Sequence, residues 1–182
     1  MSHLALSALG RDRPGIVAEM TGVLVEHGVN IEDSRMAILS GEFAMVLVLG
    51  APEGVDRQRL EQDLQGARGR LGLETVTLAD LAAGDASPAP ASRATHIVSV
   101  YGGDHPGIVH SVATALAERG VNIADLTTRL VDEPGGEPLY AMALEVALGA
   151  SVEADELEAA LVAVGRDQGV EVSFRALELD AL

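Results

Sequence analysis

Cysteine is missing from this chain of 182 residues, which removes disulfides, thiol catalysis and cysteine-held metals at once. Lysine and tryptophan are missing too, so every cation apart from histidine is an arginine. Aromatic residues make up 2% of the sequence against 48% hydrophobic residues overall. A core is therefore affordable in size, and it has to be built from Val, Leu, Ile and Ala. The formal net charge is −16, and no basic cluster offsets it locally. A field of that sign repels phosphate backbones, so direct binding of DNA or RNA is not expected. No stretch approaches the roughly 20 apolar residues of a membrane helix. The segment Met1-Ser2-His3-Leu4-Ala5-Leu6 lacks the basic flank and long apolar run of a signal peptide, and a cytoplasmic protein without membrane contact is the expectation.

What the chain does have is a repeat. Asp12-Arg13-Pro14-Gly15-Ile16-Val17 returns as Asp104-His105-Pro106-Gly107-Ile108-Val109, and Gly28-Val29-Asn30-Ile31 as Gly120-Val121-Asn122-Ile123. Pro14 and Pro106, like Asn30 and Asn122, stand at one offset of 92 positions. Two matches at one offset signal an internal duplication, so we expect two modules of roughly 80–90 residues rather than one large domain. Units of that size bury a modest fraction of their surface, and self-association into a homo-oligomer is expected to help them.

Each copy reads as the same order of elements. An apolar run, Leu4 to Leu9 or Ile97 to Tyr101, is a strand that enters a Gly/Asp/Pro turn. Pro14 and Pro106 stand where a helix can begin, since a first-turn residue has no use for its N–H. Ile16, Met20 and Leu24, and Ile108, Val112 and Leu116, then recur at helical spacing, and Gly28 and Gly120 stop those helices. Two extended segments follow in each copy, Asn30 to Leu39 with Phe43 to Leu49, and Ile123 to Val131 with Leu139 to Leu148. Ser40-Gly41 joins the first pair, and a solvated loop containing residues 132–136 joins the second. A second helix (Leu60, Leu64, Ala67, Leu71; Leu157, Ala160, Leu161, Val164) and a last strand (Glu74 to Leu78; Val170 to Phe174) complete the module. This βαββαβ order predicts an α+β fold of two ferredoxin-like sandwiches with both helices on one sheet face. Residues 1–81 form the first module, the small, Pro-containing segment 82–94 a linker, and residues 95–182 the second.

With that order and the doubled Asp-x-Pro-Gly-Ile-Val…Gly-Val-Asn-Ile segments, the chain resembles a tandem pair of ACT domains over nearly its whole length. Among two-ACT proteins without an attached enzyme it is most similar to the glycine cleavage system transcriptional repressor family. The resemblance implies antiparallel sheets packed side by side and an amino-acid ligand held between a strand–helix loop and the Asn segment of a neighbouring module. Carried onto this chain, the ligand-binding positions are Arg11, Asp12, Arg13, Pro14, Gly15 and Ile16 with Asn30 and Ile31, and Gly103, Asp104, His105, Pro106, Gly107 and Ile108 with Asn122 and Ile123. It also implies a protein partner, a basic transcription activator, rather than direct contact with nucleic acid. Arg13 in one loop and His105 in the other make the two sites unequal.

The chemistry of these segments stands without the family. Unbonded N–H groups at a helix start favour a carboxylate, Gly15 and Gly107 leave the backbone approachable, and an Asn side chain both donates and accepts. Together they suit a small zwitterion, glycine or serine among the candidates. Taken singly, each has a plain structural reading: Asp as a helix cap, Pro as a turn former and Asn as a turn residue. Other candidates are weaker. His105 and His110 belong to no His-Glu-x-x-His pattern, so no metal is expected. Residues 102–107 lack the Lys-Ser/Thr of a phosphate loop. His27 suits a helix C-terminus as a cation, and Asp155, Glu156 and Glu158 fit a solvated helix face. No Ser/His/Asp order, paired acids in a repeated loop or cofactor fingerprint is present, so the chain is read as a non-enzyme without a cofactor. The expectation is an amino-acid sensor that regulates transcription through protein contacts. The rival is a free-standing regulatory subunit of an amino-acid biosynthetic enzyme.

Overall fold

The computed structural model describes residues 2–81, 93–131 and 138–177. The greater part of the expected linker, the loop at 132–136 and the last five residues fall outside these. Two compact units are present, Met1–Ala86 and Ser87–Leu182, each a βαββαβ module. The first runs β1 (Ser2–Arg11), α1 (Ile16–Glu26), β2 (Asn30–Leu39), β3 (Glu42–Ala51), α2 (Arg57–Leu71) and β4 (Thr75–Asp80). The second runs β5 (His96–Gly103), α3 (Ile108–Ala117), β6 (Asn122–Val131), β7 (Leu139–Ala147), α4 (Ala154–Gln168) and β8 (Val170–Ala176).

Each unit has one four-stranded sheet, in the orders β2-β3-β1-β4 and β6-β7-β5-β8, with every neighbouring pair antiparallel. Alternation along β1 decides which face the helices cover: Leu4, Leu6 and Ala8 are buried, and Ala5 and Ser7 stand on the other face. Against the buried face α1 sets Ile16, Met20, Val23 and Leu24, and α2 sets Leu60, Leu64, Ala67 and Leu71. The second unit repeats this with Ile108, Val112, Ala115 and Leu116 of α3 and Leu157 and Leu161 of α4. The cores are mainly Leu, Val, Ile and Ala, but Met20, Met45, Met142 and Phe43 also belong to them. No polar side chain is buried among the described residues. The edge strand β2 is exposed at every position.

The helix ends are local chemistry. Gly28 and Gly120 both take φ +67°, and beyond them Val29 and Val121 donate back to Leu24 O (2.9 Å) and Leu116 O (3.0 Å). These closures satisfy carbonyls that would otherwise be orphaned, and a left-handed residue is needed to make them. At the start of α2, the Asp56 carboxylate accepts from Arg59 N at 3.0 Å. His27, just past α1, places Nε2 2.9 Å from Asp63 Oδ2 and so ties the first helix to the second.

Candidate functional site

Each Asp-Pro-Gly loop joins the C-terminal end of a central strand to a helix. Gly15 and Gly107 sit at the helix starts with φ +98° and +108°. A side chain is strained in that region, so the left-handed turn accounts for glycine there. The helices begin at Ile16 and Ile108, after the prolines rather than at them, and neither has a side-chain cap. Asp12 and Asp104 therefore do not cap α1 and α3, against the plain structural reading of the motif. The first helical bonds run from Glu19 N to Gly15 O and from Ser111 N to Gly107 O, both 2.9 Å. The N–H groups of Ile16, Val17 and Ala18, and of Ile108, Val109 and His110, thus lack intrahelical partners, at the helix ends where a negative charge is favoured.

The loop residues Asp12, Arg13, Pro14 and Gly15 are exposed, as are Gly103, Asp104, His105, Pro106 and Gly107. Arg11, at the end of β1, is exposed as well. Ile16 and Ile108 are 2% exposed, so those side chains belong to the core and offer a ligand only their backbone. Neither Asp12 nor Asp104 forms an ion pair among the described residues. Asp12 N donates to Gly41 O (2.9 Å), fixing the first loop to the β2–β3 turn.

The residues between Asp and Pro are engaged with the protein itself. Arg13 Nη2 donates to Arg70 O at 3.0 Å, in the last turn of α2. His105 Nε2 lies 2.7 Å from Gln168 O, the end of α4.

The Asn segments lie elsewhere. Arg11 pairs with Glu42 at one end of the sheet, whereas His3 and Asn30 both pair with Gly50 at the other. Nine residues of strand separate the two ends, roughly 25–30 Å. Asn122, opposite Ala147, is as far from Gly103, opposite Leu139. Within one module, then, the loop and the Asn cannot touch one ligand. Asn30, Ile31 and Asn122 are exposed, and Ile123 packs partly against the core. A register shift follows each Asn-Ile, between Ile31 and Asp33 and between Ile123 and Asp125. It is a bulge that re-aims the strand start. In the first module the Glu32 carboxylate crosses Gly50, where a Cβ would lie 2.5 Å from Oε1, to reach His3 Nε2 at 3.5 Å.

The second loop borders an open cleft of about 620 Å³, lined by residues 104–110 and Tyr140. Tyr140 was not among the expected site residues. It lies opposite Gly102 in the β5–β7 pairing, a neighbour revealed only by strand register. Burial, then the charge of Asp104, raises the pKa of its phenol, and a hydrogen bond from Thr128 opposes the shift. Phe43 occupies the matching place in the first module, opposite Gly10, and is 2% exposed. A smaller cavity of about 340 Å³ in the first module lies away from its loop, between Ser2, residues 52–55, Arg57 and Asp80.

Comparison with known proteins accords with the fold. Residues 2–77 and residues 96–161 each match an ACT domain model, a different one for each segment. The chain is 39% identical over 77 residues to a UPF0237 protein of Methanopyrus kandleri, spanning 42% of this chain and 86% of that protein. It is 33% identical over 128 residues to the glycine cleavage system transcriptional repressor of Escherichia coli, spanning 70% of this chain and 64% of that protein's length. The crystal structure of an unknown protein from Galdieria sulphuraria superimposes with a TM-score of 0.79 at 29% identity, covering 97% of this chain and 98% of the other.

Proposed function

The chain belongs to the ACT domain family in both of its modules, and on that footing we propose that it is a non-enzymatic regulatory protein that binds a small amino acid. The carrying observation is the second module's cleft. There, three helix-start N–H groups and the Asp104 carboxylate, which has no ion pair among the described residues, border one open space. An α-carboxylate suits the N–H groups and the positive end of α3, and an α-ammonium suits Asp104. The first loop repeats the N–H groups and the acid as Asp12, but has Ala18 where the second has His110 and buried Phe43 where the second has Tyr140. Asn30 and Asn122 enter the proposal as polar groups that a second copy of the chain would present.

The relationship to a protein named as a glycine cleavage repressor supports a role in regulating glycine metabolism. A net charge of −16 favours a basic protein partner, a DNA-binding activator, over direct contact with DNA. No described helix is long and apolar enough to cross a membrane.

Thermal unfolding against single amino acids, glycine and serine included, tests the reading. A ligand at about 100 times its Kd adds roughly 2.7 kcal/mol, a shift of several degrees. A selective rise that is lost in Asp104→Asn is the expected result. The absence of any rise across the panel would overturn it.

A further inference from the structure

The two modules anchor their loops with different chemistry. The last carbonyls of a helix lack N–H partners and carry partial negative charge, and in each module the residue between Asp and Pro reaches one of them. Arg13 does so at Arg70 O (3.0 Å) and His105 at Gln168 O (2.7 Å). His105 Nδ1 also lies 3.2 Å from Pro106 O, so both ring nitrogens face oxygens that can only accept. A neutral imidazole has one N–H and would set the other nitrogen's lone pair against a carbonyl. The imidazolium has two and serves both.

We propose that His105 is a proton-dependent latch of the second module's loop. With the ring protonated, residues 104–107 are clamped to the C-terminus of α4; with the ring neutral, one of the two bonds is given up and the cleft wall loosens. Arg13 keeps its charge in proteins, so the first module's loop stays latched. The consequence for amino-acid binding rests on the function proposed above; the latch itself does not.

Asp104, on the same loop, favours the imidazolium. His110 from α3 and Tyr140 from β7 border the same cleft, and Arg166 and Asp167 precede the acceptor on α4. The Gln168 carbonyl, followed by that of Pro106, raises the His105 pKa; desolvation opposes this, and Asp104 adds to it. The folded-state value therefore lies above the unfolded one. The latch is complete below the ordinary histidine range and is lost as pH rises through the raised value.

The test is an NMR titration of the histidine rings in the ligand-free chain, with backbone relaxation of the amides of residues 104, 105 and 107 measured across the same pH range. We expect the His105 ring to titrate above the ordinary histidine value. The order parameters of those amides should fall through that midpoint from about 0.85, a rigid backbone, toward about 0.6. His105→Arg should stay rigid throughout, and His105→Gln should be mobile throughout. Arg13→His should confer the same pH dependence on residues 12, 13 and 15. An ordinary titration of His105, or a wild-type profile matching that of His105→Arg, would overturn the latch. Because no amino acid is added, failure of the ligand proposal leaves these outcomes readable.

Discussion

Replacing glycine by alanine at two places seven residues apart should move stability in opposite directions. Gly15 and Gly22 both have open space around the missing Cβ, with nothing within 4 Å beyond their chain neighbours and, for Gly22, the backbone of its own helix, so packing contributes little at either. At Gly15, φ is +98°, and an L side chain there costs roughly 1–2 kcal/mol. The stiffer unfolded chain returns about 0.4–1 kcal/mol, leaving a net loss of about 1 kcal/mol. Gly22 is exposed inside α1, where alanine is the better helix former by about 0.8–1.0 kcal/mol. For a unit of this size each change amounts to roughly 4–8 °C, downward for Gly15→Ala and upward for Gly22→Ala. Far-ultraviolet circular dichroism is the assay. The chain has no Trp and its two tyrosines, Tyr101 and Tyr140, lie in the second module, so tyrosine fluorescence reports the other unit. The double variant should return close to wild type if the sites act independently. A Gly15→Ala protein at least as stable as wild type would refute the claim that the loop requires a left-handed residue.

Asp56→Ala removes the one hydrogen-bonded cap seen at the start of α2 and should cost about 1 kcal/mol in denaturant titration. Leu161→Ala empties a fully buried position of α4 and should cost roughly 2–5 kcal/mol, read by tyrosine fluorescence as a lower midpoint. Tyr140→Phe should change thermal stability by no more than about 0.5 kcal/mol, because its hydroxyl donates to the Met142 thioether at 3.7 Å, its other partner Thr128 is exposed and can turn to water, and the first module carries Phe43 in the same place. A larger loss would mean that the phenol serves the fold rather than the cleft.

The duplicated modules keep their geometry while their loop chemistry differs. Both glycines at the helix starts are left-handed, both loops reach the carbonyl end of their module's second helix, and both Asn segments precede a bulge. Against that constant frame, Arg13 corresponds to His105, Ala18 to His110 and Phe43 to Tyr140. The second module therefore surrounds its helix start with more groups able to exchange hydrogen bonds and protons.

Periodicity and punctuation made the fold legible in the sequence. The four-residue recurrence of Ile16, Met20 and Leu24 can bury one face only as a helix, and Gly28 is suited to a left-handed closure. Strand order, helix order and the duplication followed from signals of this local kind. The loop residues were legible too, because a Pro-Gly pair before an apolar helix constrains the backbone wherever it occurs. Four things were decided by the tertiary structure. Asp12 and Asp104 are not caps and form no ion pair among the described residues, because the left-handed glycine starts the helix after them. Arg13 and His105 turn to carbonyls at the ends of α2 and α4, elements tens of residues away in sequence. Tyr140 joins the second cleft through strand register. Asn30 and Gly15 stand at opposite ends of one sheet although they are fifteen positions apart, because α1 runs back along β1 and carries the chain to where β1 began. Local sequence sets φ, ψ and burial periodicity over a few residues. Which groups meet across strands and helix ends depends on contacts made only when the sheet and both helices close on one core.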